Sequence, residues 1–493
     1  MTLKFNLLIN WSGQILGFAI LFLLTPLIVN YLGVEMYGLW SLIITIISLL
    51  VLADMGIRSS ICRFIIESKA QNDEMRGRRF IQMGLMLYVF IGLFLSILVF
   101  SITTNFESLF PKFEAPENIA NIMFLILAGV LLSLITSIYS SILTAFENFL
   151  ALQTLNIISV VVRSAVMLLT ISADYGIVGL AGSVFLGNAL LFVMTIALVY
   201  KKYPIYTTFM PVYHKSLAKL LFVFSTSSLI VMLSTRISNE ADLIIIASFL
   251  EPDNVTFYSV SVMLTVYTWT LLSQINLTMN PRVQTAVSQQ RFADANELFY
   301  LQTGITVIIG GAVYMGMIFF GQQFLLYWVG DAFAGLASLI LIIAASRIFM
   351  TFSSAVGMAL AARGKLKLNM YMVSMEALLN ISLSIISQLV FNAGLLGIAA
   401  ATLCSRVVFL FTLHLSLGLP QMDVKRREYA TRILLRGLIY LSVSAVICWL
   451  AIYVTNITIM YQFILAVMLC GLAMLLAGFF IFGYSPSDLR KAK

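Results

Sequence analysis

The sequence predicts an all-α protein that crosses a membrane many times. Of its 493 residues, 61% are hydrophobic and only 10% are charged, and its mean hydropathy is +1.01. Soluble globular proteins contain about 45–50% apolar and roughly 25% charged residues, so this chain carries more apolar surface than a water-soluble fold can bury. Its apolar runs are continuous over about 20 residues, as at 80–102 and 463–482, which is the length of a membrane-spanning helix.

These runs predict about fourteen spanning helices with short connections and no inserted soluble domain. Hydrocarbon offers the backbone no hydrogen-bond partners, so a span is a helix or a barrel strand, and barrel strands alternate apolar and polar residues. The continuous runs therefore predict helices at 7–29, 37–57, 80–102, 119–143, 149–171, 177–200, 217–249, 255–280, 298–328, 334–361, 368–391, 395–418, 433–454 and 461–484. The first run lacks a small-residue cleavage site, which favours a span over a signal peptide.

Basic residues concentrate on one side of the predicted spans. Twenty-four of the 29 lysines and arginines lie at the N-terminus, in the C-terminal tail or in connections on the same side, including Arg58 and Arg63 in the connection between spans 2 and 3. The connections on the other side contain Lys112 as their single basic residue. The positive-inside rule then places both termini in the cytoplasm of a multi-pass inner-membrane protein. Anionic lipid headgroups account for the net charge of +8 without a nucleic-acid partner.

A weak internal repeat predicts two homologous lobes. The sequence Gly-Ile-Val-Gly-Leu-Ala at 176–181 opens span 6, and Gly-Leu-Leu-Gly-Ile-Ala at 394–399 opens span 12. Each follows a span that starts near an asparagine, Asn156 or Asn369. The spacing predicts a six-helix lobe at 1–215, a second at 216–420 in parallel orientation, and two further helices at 421–493. Unrelated glycine-rich helix starts are the alternative.

Seven charged residues fall near the middle of predicted spans. The bilayer half-thickness is about 15 Å, more than an arginine side chain reaches, and lipid exposure there costs at least about 2.5–3.5 kcal/mol. These residues must therefore face protein or water: Arg163, Arg236, Arg347, Arg406, Glu240, Asp242 and Glu376. Their net charge of +1 favours an anionic cargo, and the planar guanidinium suits phosphate oxygens. The four arginines and Asn239 are the predicted substrate-cavity residues.

Polar residues on span 7 follow helical spacing and indicate a water-accessible stripe: Ser225, Ser228, Thr235, Arg236, Asn239 and Asp242. Arg236 and Glu240 are four residues apart, so they either neutralise each other or act on cargo. Arg163 and Glu376 each lie seven residues past the repeat asparagines, so they either bridge the lobes or make separate contacts.

Arg163 and Arg406 have no acid within a helical turn and are expected to stay uncompensated. The acids predicted to serve in coupling or gating are Asp54, Glu240, Asp242 and Glu376.

Motifs of catalysis and cofactor binding are missing from the sequence. It contains no phosphate-binding glycine-lysine loop, no nucleophile elbow and no ligand-spaced cysteines or histidines. We therefore predict no enzymatic activity, no cofactor and no metal. Without an ATP-binding motif, transport is expected to use an ion gradient or the membrane potential, which is worth about 2.3 kcal/mol per charge per 100 mV.

The N-terminal region resembles polysaccharide flippases of the MATE-like exporter superfamily. The resemblance is carried by Thr-Pro at 25–26, Leu-Gly at 32–33, Tyr-Gly-Leu-Trp at 37–40 and Asp-Met-Gly at 54–56. Asp242 is similar to the family's helix 7 acid, and Tyr258 with Ser259 to its helix 8 start. The resemblance implies alternating-access flipping of undecaprenyl-pyrophosphate-linked oligosaccharides for surface polysaccharide assembly. It also implies membrane lipids and the polysaccharide polymerase machinery as partners, and shared locations for Asp54 and Asp242.

Three other functions remain open at the level of sequence. A multidrug or organic-cation antiporter would favour an acidic cavity, whereas here the central arginines outnumber the acids. A lipid II flippase of the same fold stays open. A membrane polymerase or ligase generally has a large outer catalytic loop, but the longest outer segment, 103–118, is short and contains no histidine.

Overall fold

The computed structural model describes residues 3–454 and 460–484, apart from residues 55, 115 and 214, and describes the backbone alone at 3–15, 52–53, 215–216, 218–232 and 277. Contacts divide the chain into two compact units, Met1–Thr256 and Phe257–Lys493. The boundaries predicted at 215 and 420 separate two six-helix lobes and two C-terminal helices. They divide the chain differently from these two units and remain a prediction.

The first unit is built from a succession of helices. In chain order they are α1 (Leu3–Leu32), α2 (Val34–Leu50), α3 (Ile57–Ala70), α4 (Glu74–Thr104), α5 (Phe106–Leu109), α6 (Ile119–Ala145), α7 (Phe149–Ser172), α8 (Gly176–Lys202) and α9 (Lys215–Phe249). Short 3₁₀ turns lie at Val51–Asp54 and Pro204–Tyr206.

The second unit takes most of α10 (Pro252–Ser288). It continues with α11 (Phe292–Trp328), α12 (Ala337–Phe352), α13 (Val356–Ala362), α14 (Leu366–Leu389), α15 (Gly394–Val408), α16 (Arg426–Tyr429), α17 (Arg436–Val454) and α18 (Met460–Phe482). Two π-helical segments, Phe409–Gly418 and Ala430–Leu435, extend α15 and join α16 to α17.

The prediction of an all-α, multi-pass membrane protein is confirmed. Among the described residues there is no strand, and eleven helices are long and apolar enough to cross a membrane. Two shorter apolar stretches, Leu16–Leu32 and Val34–Leu50, coincide with the first two predicted spans. The structure is close to the predicted count of fourteen spans but does not confirm that number.

The largest departure from the sequence prediction is at span 2. Predicted as one helix at 37–57, it ends at Leu50 in a 3₁₀ turn, and α3 follows where a cytoplasmic connection is predicted. Helix α3 packs along the first half of α4, where the Phe64 and Phe80 rings stack at 4.2 Å. Its buried positions recur every three or four residues, and this amphipathic pattern, with low mean hydropathy, is missed by a search for apolar runs.

Helix α9 belongs to the first unit by its packing on α2 and α3. Where the following chain turns into α10, a Cβ atom at Gly38 would collide with the Pro252 carbonyl. The Thr256 hydroxyl also donates a hydrogen bond of 2.5 Å to the Val34 carbonyl. The glycine of the Tyr-Gly-Leu-Trp motif is therefore required for close approach of the chain to the start of α2.

The core of the second unit centres on α11, which packs against α12, α17 and α18. The fully buried Tyr440 of α17 donates a hydrogen bond of 2.7 Å to the Ile308 carbonyl, and its ring covers Gly311. The last two predicted helices are thus integral to this unit's core.

Orientation in the membrane gives a first testable prediction. Reporter fusions after Lys69, Lys202, Lys425 and Lys493 should be cytoplasmic, and fusions after Glu114 and Asp331 external, because the connections differ so strongly in basic residues. The presence of α3 does not change the location expected for the reporter after Lys69. The turn between α3 and α4 still lies on the side of the membrane whose connections are rich in basic residues. An external reporter at Lys202 would contradict the map.

Candidate functional site

Arg163 lies in the middle of α7 and packs against α8. A Cβ atom at Gly187 would lie 2.9 Å from the Arg163 Cβ atom, so only glycine lets the two helices approach so closely. The Ser159 hydroxyl donates to the Gly187 carbonyl at 2.8 Å and fixes this contact. The Arg163 side chain is partly buried, and its guanidinium makes no hydrogen bond or ion pair with any described residue. Among the described residues, its charge therefore has no counter-charge.

Arg236 and Glu240 form an ion pair on α9, with 3.4 Å between Nη1 and Oε1. The mutual neutralisation predicted from their spacing is therefore present. The Arg236 side chain is nevertheless 49% exposed, which leaves donors of its guanidinium accessible. The neighbouring Thr235 is exposed and Asn239 partly exposed, whereas Asp242 is buried. Ser225 and Ser228 of the predicted stripe lie outside the residues whose side chains are described.

Arg406 and Glu376 form a buried ion pair in the second unit. The Arg406 Nη1 atom lies 3.3 Å from Glu376 Oε1, and the two side chains are 11% and 3% exposed. The expectation that Arg406 stays uncompensated is therefore wrong, because the acid comes from the adjacent helix α14. Glu376 thus has a partner in its own unit, as the alternative of separate contacts predicts for it.

A polar face of α14 surrounds this ion pair. The helix buries a row of polar residues and exposes apolar ones such as Tyr371 and Leu378, the reverse of a soluble helix. The Asn380 amide donates to the Thr402 hydroxyl of α15 at 3.2 Å. The buried row consists of Asn369, Glu376, Asn380, Ser384 and Gln388.

Arg347 lies in the interior of the second unit on α12. Arg347 is only 8% exposed, and its Nη1 atom lies 3.7 Å from the Met350 sulfur. Of the two predicted cavity arginines in this unit, Arg406 is engaged by an acid and Arg347 is buried. Both are less accessible than Arg236.

Asp54 is the centre of a polar cluster at the break between α2 and α3. Its Oδ1 atom accepts hydrogen bonds from the hydroxyls of Tyr88 on α4 and Ser137 on α6, the latter at 2.7 Å. The two hydroxyls also contact each other at 2.9 Å. Asp54 is predictable from the sequence but Tyr88 and Ser137 are not, because single hydroxyls in apolar runs carry no distinguishing pattern.

Arg58 lies on α3 and not in the predicted connection between spans 2 and 3. Asp54 contacts Tyr88, and Ile61 packs at Gly84, so Arg58 lies level with α4 between these two residues. That level is inside the predicted span 80–102, not in a cytoplasmic connection. Arg58 is exposed and makes no ion pair with a described residue. The three-to-four spacing of buried residues in α3 is the signal that would have placed it on a helix.

The family model that matches the chain is described as polysaccharide biosynthesis protein and covers residues 3–283. Among curated proteins, none matches this chain significantly in sequence.

The fold is shared with solved transporter structures. An inward-facing multidrug resistance MATE family transporter of the MOP superfamily has a TM-score of 0.70 at 13% identity, over 84% of this chain and 94% of that one. The lipid II flippase MurJ in an inward closed conformation has a TM-score of 0.72 at 16% identity, over 97% of this chain and 98% of that one.

A MOP superfamily transporter from Pyrococcus furiosus has a TM-score of 0.59. It is described as having a binding pocket of reverse polarity that suggests a different function. It is 16% identical over 85% of this chain and 95% of that one. Identities this low establish the fold alone.

Proposed function

The chain belongs to the polysaccharide biosynthesis protein family, and we propose that it flips undecaprenyl-pyrophosphate-linked oligosaccharide repeat units across the cytoplasmic membrane. The family and the fold are those of membrane transporters and flippases, and the resemblance at the N-terminus of the chain agrees with both. The product would be a repeat unit presented on the outer face for surface polysaccharide assembly, including lipopolysaccharide. Membrane lipids and the polymerase machinery are its proposed partners.

The observation that carries the proposal is the guanidinium of Arg163, which lies in the middle of a span and has no counter-charge among the described residues. A cation at this depth is costly unless a counter-charge or water reaches it. A diphosphate supplies that counter-charge, and is itself very costly to move through hydrocarbon unpaired. The planar guanidinium of arginine forms bidentate hydrogen bonds with phosphate oxygens. Pairing therefore lowers the free-energy cost of placing either charge within the membrane.

Two further arginines of the first unit support an anionic cargo. Arg58 is exposed at the level of the predicted span 80–102, and Arg236 keeps about half of its side chain exposed despite Glu240. Helices α3, α7 and α9 therefore each present a guanidinium within the first unit. In the second unit, Arg347 and Arg406 are more deeply buried, and we assign them a weaker share of cargo binding.

The acids are the proposed coupling and gating residues. Asp54 ties α4 and α6 to the break after α2, so a change in its protonation or bonding would act on the point where the helix is interrupted. Glu240 and Glu376 each hold an arginine, and Asp242 is buried on α9. We propose that an ion gradient or the membrane potential drives transport through these groups.

A multidrug antiporter is less well supported by this arrangement. A cationic drug requires an accessible carboxylate, but Glu240 and Glu376 face arginines and Asp54 accepts two hydroxyl hydrogen bonds. Lipid II is the second candidate cargo, because it carries the same diphosphate and differs in its sugar.

Deleting the gene tests the proposal directly. Surface polysaccharide should be lost, and lipid-linked repeat units should accumulate on the cytoplasmic face, while sensitivity to cationic drugs stays unchanged. Extracted lipid-linked intermediates and dye efflux are the measurements. Persisting polysaccharide with dye retained in cells would favour the antiporter, and accumulated lipid II with cell lysis would favour the peptidoglycan precursor.

A further inference from the structure

A cavity of about 910 Å³ opens at one end of the second unit. Its walls come from the C-terminal end of α10, the N-terminal end of α11, the segment leading into α17 and the C-terminal end of α18. These helix ends lie at or next to the predicted cytoplasmic connections. None of the proposed cargo residues lines this cavity, so a ligand bound there would be separate from the cargo.

The lining of the cavity is rich in arginine. Four arginines and two acids line it, for a net charge of +2, namely Arg282, Arg291, Arg432, Arg436, Asp294 and Glu297. Arg432 pairs with Glu297 at 2.6 Å, and Arg291 with Asp294 at 3.3 Å. Arg436 donates to the Phe482 carbonyl at 2.6 Å, which satisfies one donor but does not neutralise its charge. Arg432 also pairs with Glu428, next to the lining, at 3.4 Å, so the four arginines and three acids together keep a net charge of +1.

A second observation points to a ligand with acceptor oxygens. Tyr300 lines the cavity and is 5% exposed, and its hydroxyl has no hydrogen-bond partner among the described residues. The guanidinium of Arg432 lies over its ring, 5.0 Å from the centroid. Buried hydroxyls are almost always bonded in folded proteins, so this one is available to a bound group.

The cavity also has an apolar side. Leu298, Leu301 and Tyr484 line it and belong to or pack on a small buried cluster that includes Met279 and Ile305. A soluble phosphate compound would gain little from this surface, whereas the glycerol and first methylenes of a lipid would be partly removed from water there. The predicted position at the inner membrane surface places anionic headgroups within reach.

We propose that this cavity is a binding site for the headgroup of an anionic phospholipid. The phosphate lies among Arg282, Arg432 and Arg436 and accepts a hydrogen bond from the Tyr300 hydroxyl. The apolar side receives the start of the acyl chains. Binding joins the ends of four helices and stabilises this end of the second unit.

The test measures thermal stability of the purified full-length protein in detergent. Dioctanoyl phosphatidylglycerol should raise the Tm in a saturable manner, because a ligand that binds only the folded state stabilises it. Dioctanoyl phosphatidylcholine, whose choline cancels the phosphate charge, and inorganic phosphate should give no comparable shift at the same concentrations. An equal shift with inorganic phosphate would overturn the lipid assignment in favour of a soluble ligand.

Two variants and a control assign the effect to the cavity. Tyr300→Phe removes only a hydroxyl that has no partner among the described residues, so the Tm without lipid should not fall, yet the apparent Kd for phosphatidylglycerol should rise about fivefold or more. Arg282→Gln should raise it about tenfold or more. Arg427→Gln removes an exposed arginine from the same predicted side, outside the cavity lining, and should leave the Kd unchanged. Unchanged affinity in both cavity variants, or equal weakening in all three, would overturn the proposal.

Discussion

Replacing Arg163 with alanine is expected to reduce export of lipid-linked repeat units by roughly 10- to 150-fold at unchanged membrane levels. A hydrogen bond to a charged group contributes about 1.5–3 kcal/mol, and 1.4 kcal/mol corresponds to a factor of ten. Alanine removes the charge and the donors, whereas lysine keeps the charge and loses the two-point geometry. Export should therefore decrease in the order wild type, Arg163→Lys, Arg163→Ala, as measured by surface polysaccharide per unit of transporter.

A matched control separates this effect from a general loss of positive charge. Arg79→Ala removes an exposed arginine near the N-terminal end of α4, at the predicted cytoplasmic surface, and should leave export unchanged. Arg163→Ala leaves no described partner of the guanidinium unpaired and removes only the packing of the aliphatic stem at Gly187, so any decrease in Tm should be small. Wild-type export in Arg163→Ala would remove this residue from the cargo site.

Breaking the buried pair on α14 and α15 is expected to have the largest effect on stability. Arg406→Ala leaves the carboxylate of Glu376 buried without its counter-charge. Glu376→Ala likewise leaves the guanidinium of Arg406 buried without its counter-charge. Removing one member of a buried ion pair typically costs about 3–5 kcal/mol. Each single variant should therefore lower the Tm and the amount of folded protein in the membrane.

The double variant Glu376→Leu with Arg406→Met distinguishes this pair from a cargo site. Replacing both charges with apolar groups of similar size is often neutral or stabilising, so most of the lost stability should return. If the pair is structural, export should recover with it, whereas a cargo role for Arg406 requires that export stay low when the protein is stable again. A double variant as unstable as the singles would contradict the assignment of these residues as a simple ion pair.

Much of the fold could be predicted from the sequence because each membrane span is a continuous run of apolar residues. Each predicted span overlaps helical residues in the structure, but the span at 37–57 is broken after Leu50, and the span at 334–361 is divided between α12 and α13. Helix α3 could not be found in this way, since its apolar side is buried against protein and its other side carries Arg58 and Arg63. A search for periodic burial, in place of hydropathy alone, would have identified it.

The candidate site was predictable in part. Charges inside apolar runs are conspicuous, so the sequence alone identifies Arg163, and the spacing of Arg236 and Glu240 identifies their pairing. The pairing of Arg406 with Glu376 depends on the packing of two neighbouring helices, which spacing within one helix does not reveal. The hydroxyls around Asp54 and the cavity beside Tyr300 depend likewise on three or four chain segments that are remote in sequence.

Flipping of the lipid-linked cargo can be measured with the purified protein in proteoliposomes. An undecaprenyl-pyrophosphate-linked oligosaccharide is placed in the membrane, and a membrane-impermeant glycosidase outside reports the fraction that reaches the outer leaflet over time. We expect wild-type protein to deliver the oligosaccharide, Arg163→Lys to deliver it more slowly, and Arg163→Ala to be close to empty liposomes, with Arg79→Ala equal to wild type. Delivery that does not exceed the protein-free rate, under an imposed ion gradient or membrane potential, would contradict the account.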